Sequence, residues 1–316
     1  KMKKMIVLSA MLLFEKVLAA GYPPVTVDMP IEQVSEHAYY APGAAGTATE
    51  NEGFISNAGF VVTDAGVVVF DSLGSPSLAW ALRQRIRKIT DKPVVKVVVS
   101  HYHADHIYGL QVFKDEGAQI LAPRGAYEYL DSAVSAERLE ERRFSLDPWV
   151  NDDTRLVRPD LMIEEFHQFS LGGIDFRLNY LGSAHSDGDL TMYVVQDRVL
   201  FSGDIIFEGR VPFVGDADTK RWLETLEALE TDELLALVPG HGPAASDPVG
   251  AVSRTREYLA YLRGVMGAAV ENLDDFATAY AAADWRRFEN LPAFDAANRR
   301  NAYQVFLSME AEALGQ

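Results

Sequence analysis

Val94-Val95-Lys96-Val97-Val98-Val99-Ser100 runs directly into His101-Tyr102-His103-Ala104-Asp105-His106. The first half is a nearly continuous β-branched run. Such runs belong to strands buried on both faces, as in a sheet covered by helices. The second half packs three imidazoles and a carboxylate into six residues. Alternate residues of an extended segment point the same way, so His101 and His103 can converge on one point. The turn that follows presents Asp105 and His106 to a second point nearby. Imidazole and carboxylate suit zinc and similar divalent ions, and neutral imidazole binds at neutral pH. Protonated, three histidines this close would repel one another unless something held them.

Working outward, the flanks read as an α/β chain. Upstream, Gly59–Val62 and Gly66–Asp71 are β-rich runs split by Thr63-Asp64-Ala65, a hairpin signal. An earlier strand is expected around Ala38-Tyr39-Tyr40. Residues 76–90 carry Leu78, Leu82, Ile86 and Ile89 at helical spacing. Downstream, Gln119–Ala122 reads as a strand between two helices. Residues 132–165 turn charged and irregular, with Arg142, Arg143, Trp149 and Arg155 among acids, and read as a lid-like insertion. Strands are expected over 166–181 and 190–202, a helix over 219–235, and a short strand at Ala236-Leu237-Val238. From 247 onward the pattern is helical throughout. The expected organisation is one domain over 21–245, with a helical extension over 246–316 packed on it.

Composition removes several classes of function. The chain has 316 residues, no cysteine, 29 basic and 46 acidic residues, and a formal charge of −17. Without cysteine there are no disulfides, thiolate zinc sites, iron–sulfur clusters or cysteine nucleophile. A surface this negative repels phosphate backbones, so no nucleic-acid partner is expected. Lys1, Lys3 and Lys4 precede an apolar run from Met5 to Phe14, and Val17-Leu18-Ala19 offers a small-residue cleavage site. That order is a secretory signal peptide over residues 1–20, too short to span a bilayer. It implies a periplasmic or secreted protein with no stable membrane insertion.

Three further residues join the histidine cluster. His185 follows Gly182-Ser183-Ala184, Asp204 ends Phe201-Ser202-Gly203-Asp204, and His241 sits in Pro239-Gly240-His241-Gly242. Each lies at an expected strand end. With the first motif they make a two-metal set. His37 and His167 match none of these positions and read as ordinary. Arg210 is placed to anchor a substrate carboxylate through a bidentate contact. Tyr102, beside the first motif, and Trp149, in the insertion, are further candidates for substrate contact.

Over roughly residues 50–245 the sequence resembles the metallo-β-lactamase superfamily. The likeness rests on HYHADH, His185, Gly203-Asp204 and Pro239-Gly240-His241. It implies an αββα sandwich with the metal site at one sheet edge. It also implies that one metal takes His101, His103 and His185 and the other takes Asp105, His106 and His241, with Asp204 bridging. The activity implied is that of a zinc-dependent hydrolase holding two Zn2+. A metal-bridging hydroxide would cleave a small ester, thioester, lactone or lactam, and Asp105 would orient it or take a proton. Locally, Gly182–Asp189 and Phe207–Pro212 look like the exported zinc metallohydrolases encoded beside quinoprotein dehydrogenases. The bridging aspartate is shared with the glyoxalase II-like branch. An alternative within the same fold resembles the persulfide dioxygenases, which hold one Fe2+ on two histidines and the bridging aspartate and leave Asp105, His106 and His241 off the metal.

Overall fold

In the computed structural model, which describes residues 21–315, the β-branched run is β5 (Val94–Val98) of a seven-stranded sheet. The expected signal peptide lies outside the described residues. The sheet runs in chain order: β1 (Glu32–Gln33), β2 (Ala38–Ala41), β3 (Ala58–Thr63), β4 (Gly66–Phe70), β5, β6 (Gln119–Pro123) and β7 (Leu161–Ile163). From β1 to β4 the pairing is antiparallel, and from β4 to β7 it is parallel. Parallel strands need crossovers, which α1 (Pro76–Ile89), α2 (Ala104–Ile107), α3 (Leu110–Asp115), α4 (Ala126–Leu130) and α5 (Ala133–Ser145) supply. Ser75 caps α1 by accepting from Leu78 N, and Pro76 occupies the first turn, where its missing N–H costs nothing.

The second sheet has five strands in the order β12-β11-β10-β9-β8. They are β8 (Phe166–Leu171), β9 (Ile174–Gly182), β10 (Asp189–Val194), β11 (Val199–Phe207) and β12 (Ala236–His241). Three apolar layers follow from strand alternation. In β4, Val68 and Phe70 face inward and join Val98, Phe176, Leu178, Met192 and Phe201 between the two sheets. Val67 and Val69 face outward and join Leu78, Leu82, Ile86 and Phe113 under the first helical layer. On the far side, Trp222, Leu237, Leu259, Leu262 and Phe306 are buried beneath α6 (Thr219–Ala228), α7 (Pro248–Asn272), α8 (Phe276–Ala282) and α9 (Phe294–Ala313). Helix, sheet, sheet, helix is the expected αββα sandwich, with the helical extension on its second sheet. No helix among the described residues is long and apolar enough to cross a membrane.

Four expectations need correction. The strands expected over 166–181 and 190–202 are two hairpins, β8–β9, where Gly172 (φ +50) and Gly173 (φ +86) supply the paired left-handed residues of a two-residue turn, and β10–β11, in which β11 runs past Asp204 to Phe207. The helix expected to 235 stops at Ala228, where Leu229-Glu230-Thr231-Asp232 passes into a turn closed by Leu234 N on Thr231 O. The tail is interrupted at 283–293, which links α8 to α9 around Trp285 and Pro292. Residues 132–165 are not irregular throughout: Leu139, Leu146, Val150 and Val157 are buried in the outer apolar layer. Arg143 binds the loop after α5 through the carbonyls of Asn151 and Thr154.

Candidate metal centre

The C-terminal ends of β4, β5, β9, β11 and β12 meet at one edge of the sandwich. The loops from these ends bring together residues far apart in sequence. His101, His103, His185 and Asp204 offer ligand atoms all within 4.8 Å of one another, and Asp105, His106 and His241 form a second such group. All seven residues expected at the site are therefore in one place.

In the first group, His103 Nδ1 lies 2.9 Å from His101 Nε2 and 3.1 Å from His185 Nε2. Asp204 Oδ2 lies 3.2 Å from His185 Nε2 and 3.9 Å from His101 Nε2. Four donors about 2.0 Å from a tetrahedral ion stand about 3.3 Å apart, so these separations fit a single cation. In the second group, Asp105 Oδ2 is 3.5 Å from His106 Nε2 and 3.3 Å from His241 Nε2. Asp204 reaches this group as well: Oδ1 is 3.2 Å from His106 Nε2 and Oδ2 is 3.3 Å from His241 Nε2. A Cβ at Gly240 would overlap the Asp204 carboxylate, so only glycine lets β12 pass this close.

The donor set is also aimed. His241 Nδ1 donates to Ile55 O at 2.6 Å, and His106 Nδ1 donates to Asp71 Oδ2 at 2.8 Å. His101 Nδ1 donates to Ser100 Oγ at 2.8 Å, and that hydroxyl donates to Asp71 Oδ2 at 2.7 Å. With Nδ1 occupied, each Nε2 turns its lone pair to the centre, the arrangement that metal-ligating histidines use. Nε2 of His106 and Oδ1 of Asp204 are buried without a hydrogen-bond partner, as donors kept for an ion would be. His185 is held by packing instead, edge-on to Trp222 at 5.0 Å. The residues present fit a pair of divalent cations.

The sequence alone did not single out Asp71, Ser100 or Asn57. Asp71 accepts from Ser100 N at 2.7 Å as well as from Ser100 Oγ and His106. Its φ of +62 is left-handed, a conformation aspartate tolerates better than most side chains. Asn57 Nδ2 donates to Pro239 O and Gly242 O, both at 2.8 Å, and so pins the turn that carries His241. The available signal was positional. Asp71 ends the strand beside β5 in a parallel sheet, so their C-terminal ends share an edge.

The candidate substrate contacts divide. Arg210 is here: it is 9% exposed, with Nη1 3.5 Å from His241 Nδ1. The one hydrogen bond its guanidinium donates among the described residues is from Nε to Val211 O at 3.4 Å. Tyr102 is not: the alternation that joins His101 to His103 turns it the other way, into the outer layer against Tyr129. The Trp149 indole donates to Pro24 O. His37 is bound to Asp197, remote from the cluster in the fold, and His167 lies on the edge strand β8.

Electrostatics separates the two groups. Burial, with neighbouring imidazoles, holds His101 well below the usual histidine value, burial lowers His103, and burial pushes His185 down to about 3. Burial also opposes charge on His106, but Asp204, Asp105 and Asp71 outweigh it and hold that ring well above the usual value. His241 is likewise raised against burial, by Asp204 and Asp105. For both aspartates burial favours the neutral acid, yet the imidazoles keep Asp105 and Asp204 low. The first three rings are held toward the neutral, metal-binding form, whereas a cation at the second group would compete with protons that the aspartates favour on His106 and His241. Each displaced proton weakens binding about tenfold per pH unit below its pKa. Lowering the pH from about 8 to about 5 in a metal-buffered solution should empty the Asp105, His106 and His241 group first. Metal content measured along the series should fall in two steps, and one concerted loss would contradict this assignment.

Known proteins carry the same architecture. Metallo-beta-lactamase IND-1 of Chryseobacterium indologenes is 23% identical over 193 residues, 60% of this chain and 72% of the relative. The linear primary-alkylsulfatase of Pseudomonas sp. is 23% identical over 233 residues, 62% of this chain but 44% of the relative. A stereoselective inverting sec-alkylsulfatase from Pseudomonas sp. superposes with a TM-score of 0.70 at 19% identity, covering 89% of this chain and 50% of that one. The metallo-beta-lactamase from Pontibacter korlensis superposes at 0.58 and 20% identity, covering 74% of this chain and 99% of that one. At these identities the superpositions speak for the fold. Relatives and cluster together fit a metal-dependent hydrolase. The profile of the metallo-beta-lactamase superfamily matches residues 51–241, more than half of the chain and every ligand-type residue from His101 to His241, and the protein belongs to that superfamily.

Proposed function

We propose that the protein is a zinc hydrolase with a two-cation centre, acting on a small ester, thioester, lactone or lactam that carries an anionic group. The observation that supports two cations is Asp204, whose carboxylate stands 3.2 Å from His185 Nε2 and 3.3 Å from His241 Nε2, a donor of each group. When bound, such ions supply an acidified water near neutral pH and a Lewis acid for a carbonyl oxygen. The chain's own residues do the rest. Asp105 is the more open carboxylate, its side chain 22% exposed against 4% for Asp204, and it orients the attacking water. The imidazoles that keep Asp105 ionised also make it a weak base, so orientation is its larger contribution. Arg210 holds the anionic end of the substrate: it is a buried guanidinium with no carboxylate ion pair among the described residues. The N-terminal segment supports an exported enzyme of the kind encoded beside quinoprotein dehydrogenases, working on a small molecule in the periplasm or outside the cell.

Elemental mass spectrometry on protein purified without added metal tests the centre. About two zinc ions per chain are expected, with turnover in a panel of thioesters, lactones, β-lactams and aryl esters. Medium-chain alkyl sulfates belong in the panel, because the Arg210 fork suits a sulfate as well as a carboxylate. About one iron per chain with oxygen consumption on a persulfide would overturn the hydrolase reading in favour of the dioxygenase one. Failure to hold any metal after reconstitution would overturn both.

A further inference from the structure

The loop that carries Arg210 is held from the far end of the chain. Residues 208–217 follow β11 and have no helix or strand of their own. They border the centre at Arg210, whose Nη1 lies 3.5 Å from His241 Nδ1. Three backbone groups of this loop are bonded by residues of the helical extension. Val211 N donates to Pro292 O at 3.0 Å. Pro212 O accepts from Asn301 Nδ2 at 2.6 Å, and Val214 N donates to Asn301 Oδ1 at 2.9 Å.

Asn301 lies on α9, is fully buried, and uses both ends of its amide on the loop. It is braced in turn. Its Nδ2 also donates to Tyr258 OH at 2.9 Å, that hydroxyl donates to Asn298 Oδ1 at 2.9 Å, and Asn298 Nδ2 donates to Tyr280 OH at 3.1 Å. At the root of the loop, Thr255 Oγ1 accepts from Phe207 N and donates to Phe207 O. A buried amide is costly unless its donors and acceptor are matched, and an apolar residue would pack α9 against α7 equally well. What an asparagine adds at this position is a hold on the Pro212 carbonyl and the Val214 amide.

We propose that Asn301 is a positioning residue for the reaction: it sets the 208–217 loop, and through it the Arg210 guanidinium, beside the metal centre. The helical extension then serves as the brace of the substrate site and not only as a cover for the second sheet. This inference rests on Arg210 being the anion anchor of the proposed hydrolase.

The test compares wild type with Asn301→Ala, and with Tyr258→Phe as a milder variant that keeps core volume and removes one brace. Hydrogen–deuterium exchange reads the loop without reference to activity. Peptides covering 208–217 should exchange at least tenfold faster in Asn301→Ala, while those covering 101–106 and the metal content stay as in wild type. Kinetics on the mono-p-nitrophenyl ester of adipic acid and on p-nitrophenyl hexanoate then read the consequence. The preference in kcat/KM for the acid ester should fall about tenfold, mainly through KM. Tyr258→Phe should shift it in the same direction by less, and Asn301→Ala in an Arg210→Ala background should shift it no further. Unchanged exchange in 208–217, equal losses on both esters, or additive effects with Arg210→Ala would overturn the proposal. If Asn301→Ala fails to fold, Tyr258→Phe decides by the same readouts. If wild type cleaves neither ester, the hydrolase reading is decided by the wider substrate panel, and exchange alone upholds or overturns the positioning of the loop.

Discussion

Asp204→Ala is expected to hold no more than about one metal ion per chain and to lose hydrolysis by about a thousandfold or more, beyond the tenfold to hundredfold cost of disturbing a residue behind the ligands. Asp204 lies in β11 and is nearly fully buried, with both oxygens facing imidazoles: Oδ1 stands 3.2 Å from His106 Nε2, and Oδ2 stands 3.2 Å from His185 Nε2 and 3.3 Å from His241 Nε2. Removing it deletes a donor from each group. It also removes a nearby negative charge that opposes repulsion among the histidines. Asp204→Asn separates the two effects, since the amide keeps the volume and one oxygen but not the charge. Metal content and kcat/KM measured on both variants check the expectation. Two metal ions retained in Asp204→Ala would show that the carboxylate does not bridge.

Asp71→Asn should cost about 10- to 100-fold in metal affinity and about 3–5 kcal/mol in stability, although Asp71 touches no cation site itself. Its Oδ2 accepts from His106 Nδ1 and Ser100 Oγ, and its Oδ1 accepts from Ser100 N. Through Ser100 it also holds His101, so one carboxylate aims a histidine of each group. Asparagine suits the left-handed backbone at this position as well as aspartate does, which leaves the backbone nearly neutral in the exchange. An amide nitrogen turned to His106 Nδ1 would favour the tautomer whose Nε2 carries the proton and cannot bind a cation. The effect should therefore fall mainly on the Asp105, His106 and His241 group. Competition with a chromophoric chelator measures the affinities, and chemical denaturation measures the stability. Affinities equal to wild type at both steps would remove the orienting role from Asp71.

The part of the site legible in the sequence is the part whose geometry is local. His101, His103, Asp105 and His106 sit on one short stretch, and strand alternation followed by a helical turn is enough to split them between two points. The same alternation sends Tyr102 away from the centre, a consequence of the period that its place in the motif obscures. His185, Asp204 and His241 were legible because each lies near the end of a β-rich run close to glycine, although β11 continues past Asp204 to Phe207. The strands themselves followed from β-branched runs, and the helices from apolar spacing.

Other features depended on partners distant in sequence. Asp71 reads as a turn residue until β4 is laid beside β5, and Asn57 as a loop amide until β12 arrives. Asn301 reads as one more polar residue in a long helical tail; only the packing of α9 against α7 beside the 208–217 loop gives its amide the backbone of Pro212 and Val214 to hold. By itself, then, the sequence determined the strands, the helices and the split of His101 and His103 from Asp105 and His106, which follow from local period and local turns, while the sandwich and the sharing of His185, Asp204 and His241 between two groups were implied by its resemblance to the metallo-β-lactamase superfamily. Only the tertiary structure decided which residues aim and brace them, because hydrogen bonds between residues 29 to 186 apart leave no period in the chain.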